Sequence, residues 1–264
     1  MIEFLLGLSM FQGLILTIGT IALSGHLVYL SMHKLVRPYF EKSHEKIGRV
    51  LFRTSAGLLA FLISLNYANY RLSYLQIEDS LEAEAAQIVD IYIALRMMGT
   101  HDALDARADV EAYIQSIIDN EWSEVSEKPF TSETMMKFGK MHQKILALKV
   151  ESDYQQNIKK SLMEDLDNVS DYMQVRVYKT SIKFPFLLYI VFVGMLFIYA
   201  FYTVYKPDFV SILFLTLYNI FIAMIVYFVV AMSNPLVGPL KIEPTPFQII
   251  MEKGIKEVKE NPVY

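Results

Sequence analysis

Cysteine is absent from the 264-residue chain, which removes disulfides, thiolate metal sites and cysteine nucleophiles without identifying a compartment. Tryptophan occurs once, at Trp122. The net charge is only −4 and there is no basic tract to track phosphates, so nucleic acid is not an expected partner. A Gly-rich phosphate loop, a nucleophile elbow and a His/Glu pair at zincin spacing are all missing. His26, His33 and His44 follow no metal-binding spacing. Carboxylates are plentiful but none are arranged for paired acid–base work. We therefore expect no enzyme, no metal and no cofactor. No stretch alternates apolar and polar residues long enough to make a strand, so the fold class is all-α.

Charge is missing in a more telling way. No Asp, Glu, Lys or Arg lies between Glu3 and Lys34, more than the ~20 residues that cross a bilayer. Hydrophobic residues make up 54% of the chain, with Tyr and Phe at 17 each, so the composition is that of an integral membrane protein. Four transmembrane helices are expected. The first runs from Phe4 to about Met32, and its N-terminus lacks the basic region of a cleaved signal, so it reads as retained. The third is Phe184 to Tyr205, with Pro185 in its first turn. The fourth is Phe209 to Met232, joined to the third by the short hairpin Lys206-Pro207-Asp208. Prolines and Gly238 in SNPLVGPLKIEPTPF end regular helix there. The expected organisation is residues 1–70 for the first two spans, 71–183 for a soluble helical bundle, 184–232 for the last two spans, and 233–264 for a Pro-rich strap with a terminal helix from Gln248 to Glu260.

The organising stretch is Val50 to Met98. It holds no proline, and its one glycine, Gly57, lies in the apolar part. From Tyr74 the residues Ile77, Leu81, Ile88, Ile91 and Leu95 keep helical spacing. The second span is thus predicted to continue unbroken into the soluble domain. Its membrane half carries Thr54, Ser55, Gly57, Ser64, Asn66 and Asn69, polar or small groups that should face protein or water rather than lipid. Further helices are predicted from Ala103 to Glu121, from Ser132, and from Asp153 onward.

Glu84 falls on the apolar face of that long helix. A carboxylate there must be paired, hydrogen-bonded or protonated, and Arg176, in the helix returning to the membrane, is the predicted partner. Glu78, Asp79, Glu82, Asp102, Asp105 and Asp109 read as a solvated acidic face. Glu121-Trp122 reads as a core anchor. The basic residues Lys34, Arg37, Lys42, Lys46 and Arg49 of the first connection favour that loop inside. Arg71, Arg176, Lys179, Lys183 and Lys241 nearly balance them, leaving the side of the soluble domain open.

Taken in order, five landmarks resemble the bestrophin-like family of membrane proteins, which is distantly related to bestrophin anion channels. They are the basic loop leading to GLLAFLISLNYANY, Glu84-Ala85 in LEAEAAQIVDIY, YIQSIIDNEW, Arg176 followed by Pro185, and NPLVGPLKIEPTPF with Pro235 and Gly238. The resemblance implies a homo-oligomer, pentameric as in bestrophins, conducting inorganic ions with chloride-like anions favoured. It also implies a soluble domain in the cytoplasm, against the lean of the charge count, and an integral protein of a bacterial inner (plasma) membrane. Phe61 resembles a position of the hydrophobic neck, but Gly57 and Arg53 stand where further neck residues would fall. The acidic calcium clasp has no counterpart, because Glu243 stands alone.

On that basis Leu58, Phe61, Leu62 and Leu65 are candidates for an apolar constriction, with Asn66 and Asn69 as a polar collar. Arg53 and Arg71 are candidates for attracting an anion at the mouths. The competing function is a non-conducting membrane scaffold or stress-signalling protein whose acidic soluble domain binds an unknown protein partner.

Overall fold

The computed structural model describes residues 2–121, 132–180 and 187–260. Every regular element among them is helical. The chain divides into two compact units. An apolar unit holds Met1–Leu72, Lys183–Asn234 and Gly238–Leu240, and a helical domain holds Ser73–Ile182, Pro235–Val237 and Lys241–Tyr264.

The apolar unit opens with a short helix α1 (Ile2–Leu6), and α2 (Met10–Val36) starts only after Ser9. Ser9 Oγ accepts from the Gln12 N–H at 3.4 Å while Gln12 Oε1 accepts from the Ser9 N–H at 3.2 Å. This reciprocal cap satisfies two donors and sets the start of the helix. The first long helix is therefore shifted along the chain from the predicted start at Phe4. A 3-10 turn, Arg37–Tyr39, follows, and α3 then runs from Lys42 to Met98 without interruption, 57 residues. The predicted continuity holds, with eight more residues at the N-terminal end.

α7 (Leu187–Tyr202) and α8 (Phe209–Met232) complete this unit. Asp208 caps α8 by accepting from the Ser211 N–H at 2.7 Å. Among the described residues, three helices are long and apolar enough to cross a membrane: Met10–Tyr39, Lys42–Met98 and Phe209–Met232. α7 has 16 residues, and the predicted start of the third span at Phe184-Pro185 lies outside the described residues.

Close contacts fix the packing directions. Gly13 abuts the Tyr227 ring and Gly25 abuts Tyr199 and Asn219, so α2 runs antiparallel to α8. Leu59 of α3 lies against Gly194 of α7, and Gly48 against Val204. Both glycines leave room for a neighbouring side chain where a Cβ would collide. Tyr29, Leu59, Ile63, Met195, Ile198 and Ile222 belong to the core that results.

In the helical domain, the second part of α3 packs with α4 (His101–Ser116), α5 (Ser132–Leu146) and α6 (Asp153–Thr180). Gly99 ends α3 at φ +69°, the left-handed conformation that glycine adopts without strain. Thr100 then caps α4 by accepting from the Ala103 N–H at 3.2 Å. A π-turn, Ile117–Glu121, extends α4 to the predicted end. The expected run of α6 into the next membrane helix crosses 181–186, outside the described residues. The C-terminal segment turns into α9 (Thr245–Ile249), a π-turn and α10 (Ile255–Glu260). Its start is earlier than Gln248, because Pro246 suits a first helical turn. Ile242, Phe247 and Ile255 of this segment are core residues of the domain.

Gly48→Ala places a methyl against Val204 and should destabilise the apolar unit by about 1–3 kcal/mol, the usual overpacking cost. Gly48→Ala/Val204→Ala should recover most of that loss when thermal unfolding is followed in detergent. Equal melting of wild type and Gly48→Ala would show that the contact is not tight.

Candidate functional site

Two arrangements stand out, one in each unit. In the apolar unit, α3 carries no charge between Arg53 and Arg71. These residues are 18 positions apart, five turns, so they share one helix line and are separated by about 27 Å. That matches a hydrocarbon thickness of about 30 Å. Both are exposed at the two ends of the uncharged segment.

At 100° per residue, Leu58, Phe61, Leu62, Leu65 and Asn69 fall on one flank about 100° wide. Phe61 is 63% exposed, Leu58 59% and Leu65 49%. Leu58 and Leu62 turn toward α7 and line an apolar groove with Tyr189, Val193 and Phe197. Asn66 departs from the flank and sits beside Ile63. It is half-buried, with its amide donating to the Leu62 carbonyl at 2.9 Å. Asn69 is exposed. Phe61, Leu65 and Asn69 thus follow one exposed i, i+4 row, while Asn66 turns toward the covered side of α3. Thr54, Gly57 and Ser64 are also exposed, and Thr54 donates to the Val50 carbonyl at 3.1 Å. Most of this stretch is left uncovered by the chain's own helices.

The second arrangement lies in the core of the helical domain. Glu84 and Arg176 are 0% and 1% exposed. Arg176 donates from Nε to Glu84 Oε2 at 3.0 Å and from Nη2 to Oε1 at 3.1 Å. The planar fork of arginine matches a carboxylate in this way. The buried Tyr113 hydroxyl donates to Glu84 Oε1 at 2.8 Å. Burial and then the Glu84 charge push the Tyr113 hydroxyl well above its usual pKa, so it stays a donor. Burial opposes the charge on Arg176, but Glu84 and Tyr113 more than compensate and raise its pKa. The predicted pair is present. Tyr113, on the buried side of α4, is its third member.

Asp109 corrects the reading of a solvated acidic face. It is buried, held by Lys140 at 2.8 Å and Lys144 at 2.7 Å. Burial works against ionisation, yet the two lysines keep its carboxyl below the usual range. The other five acids of that face are exposed. Nearby, Glu111 accepts from Tyr92 at 2.8 Å and from Lys259 of α10 at 2.9 Å, which ties the C-terminal helix to α4. Trp122 lies outside the described residues.

A family model described as a Bestrophin-like domain matches residues 19–247. The chain belongs to the Bestrophin-like family. The match spans both arrangements, so the Bestrophin-like domain here includes the uncharged stretch of α3 and the Glu84–Tyr113–Arg176 cluster. No curated protein and no solved structure matches the chain.

Removing one member of a buried ion pair leaves an uncompensated charge, at a cost of about 3–5 kcal/mol. Glu84→Leu and Arg176→Met should each lower the unfolding midpoint strongly. The double variant should recover part of the loss, and adding Tyr113→Phe should recover more by removing the hydroxyl left behind. Additive losses would rule out the pairing. The pH response of Asp109 has a definite sign. Its folded pKa lies below the ordinary 3.8, so its contribution is fully present above that value and fades as pH falls through the depressed one. Asp109→Asn should therefore be less stable than wild type at neutral pH, with the gap closing below about pH 3.8. A gap that stays constant across a thermal-unfolding pH series would show that the carboxylate charge contributes nothing.

Proposed function

We propose that this Bestrophin-like chain forms a homo-oligomer, pentameric by relation to bestrophins, in which α3 lines a path for passive ion conduction with anions favoured. The observation that carries the reading is the uncharged stretch between Arg53 and Arg71, long enough for a bilayer's core, with its apolar flank uncovered. In this assembly α2, α3, α7 and α8 are four crossings, and neighbouring copies cover the flank. Phe61 and Leu65 form the constriction, where a hydrophobic ring gates by excluding water. Asn69 offers amide donors to a partly dehydrated anion, and Arg53 and Arg71, on a helix line about 80° from Phe61, act at longer range to raise the anion concentration near the two mouths. The Glu84–Arg176 pair holds the helical domain in register, and no catalytic residue, metal or cofactor is needed.

Chloride and potassium flux from liposomes, with wild type beside Phe61→Ala, tests the proposal. Chloride flux that rises or changes selectivity in the variant is the expected result. Potassium flux in its place would overturn the anion preference while keeping the pore. Silence of both proteins as folded oligomers, across pH and membrane potential, would overturn conduction and favour the scaffold function.

A further inference from the structure

The end of the apolar unit that carries the α2–α3 and α7–α8 connections is built as one surface. The Tyr29 hydroxyl donates to the Tyr205 carbonyl at 3.0 Å, and His33 Nδ1 lies 3.2 Å from the Thr203 carbonyl. Phe52 packs on Tyr202 with ring centroids 5.3 Å apart, and the Arg49 guanidinium sits 5.9 Å from the Tyr205 ring centre. These contacts hold two short connections together, so charges distant in sequence share one face.

That face is cationic. Lys34, Lys42, Lys46, Arg49 and Lys206 are exposed on it, and Arg37 is half-buried. Of the three carboxylates nearby, Glu45 is bonded to Arg37 at 2.6 Å and lies 3.9 Å from Arg49, and Asp208 caps α8. Only Glu41 stays uncommitted to a cation or a cap, so the lysines are left with little internal neutralisation. Arg37 gives Nη2 to Glu45, while its buried Nη1 has no hydrogen-bond partner among the described residues.

The cations are interleaved with large apolar side chains open to the surroundings. Tyr39 is 78% exposed, Phe209 80% and Leu35 67%. A soluble polyanion would leave these groups in water. A membrane surface would not, since aromatic and aliphatic groups beside lysines sit where headgroups meet acyl chains. Lysines are compact charges that suit phosphate oxygens without demanding one geometry.

We infer that this basic and aromatic collar, centred on Lys42, Lys46, Arg49 and Lys206, binds the phosphodiester headgroups of anionic phospholipids, with Tyr39 and Phe209 in the interfacial layer beneath them. Arg49 lies one turn from Arg53 on α3, so this surface adjoins the proposed mouth charge, but lipid binding does not require ion conduction.

The test is lipid retention by the full-length protein in detergent, read by native mass spectrometry, with phosphatidylglycerol against phosphatidylcholine. Wild type should retain phosphatidylglycerol preferentially, and added salt should weaken that retention alone. Lys42→Gln/Lys46→Gln/Lys206→Gln should lose about tenfold or more of the preference, since each lysine near an anionic headgroup contributes several-fold. Its melting temperature in phosphatidylcholine should match wild type, and Lys241→Gln should leave retention unchanged. Equal retention of the two lipids, or full retention by the triple variant, would overturn the site. Displacement of the lipid by millimolar inorganic phosphate would also overturn it, in favour of a free-anion site. If the triple variant does not fold, the salt response of wild type decides alone, and salt-independent retention refutes the proposal.

Discussion

The helical domain depends on one buried charge pair. Glu84 and Arg176 come from helices 92 positions apart in sequence, and neither has water to fall back on. Such a pair adds little net stability compared with a well-packed apolar substitute, but it penalises every arrangement in which the partners miss each other. Tyr113 raises the requirement, because its hydroxyl must reach the same carboxylate. Three helices are thereby fixed by one oxygen pair, and the surrounding core of Ile77, Leu81, Ile88, Val110 and Leu166 needs only to fill volume.

The apolar unit is held by different means. Its helices approach closely at glycines, and some buried polar groups are matched locally, as where the Tyr199 hydroxyl donates to the Asn219 carbonyl oxygen at 2.8 Å, while Asn219 Nδ2 and the Tyr218 and Tyr227 hydroxyls have no hydrogen-bond partner among the described residues. Among similarly apolar surroundings, close fit and matched hydrogen bonds carry association, because burying more hydrocarbon gains little. The uncovered flank of α3 is the exception to this economy.

Much of this was legible in the sequence for a simple reason: helical periodicity shows which face is buried. The unbroken α3, Glu84 on its apolar side and Arg176 as partner all follow from spacing and from the cost of an unpaired carboxylate. Tyr113 was hidden because a tyrosine at an apolar position counts as hydrophobic, and only its hydroxyl shows otherwise. Asp109 was misplaced by grouping it with Asp102 and Asp105. Its position three residues after Ala106 and four before Tyr113 puts it on the buried side of α4. The start of α2 was missed because Gly7 to Ser9 leaves the hydropathy unbroken, and a cap is a short signal inside a long apolar run. The departure of Asn66 from the Phe61 flank is angular arithmetic, but which side of α3 the chain covers depends on α7 and so on tertiary structure.

The glycines of α2 carry one further consequence. Gly13 and Gly25 receive tyrosine rings from neighbouring helices, whereas Gly19 has nothing within 4 Å of where a side chain would begin. Drift in sequence over generations would therefore be uneven along a helix that looks uniform in hydropathy. At two positions the smallest residue is a steric requirement, since even a methyl there displaces a ring that is itself wedged in place. Halfway between them a methyl meets nothing within 4 Å, so alanine fits without displacing a neighbour. In a set of diverged copies, the steric record of the α2 contacts would appear as two invariant glycines flanking a variable one.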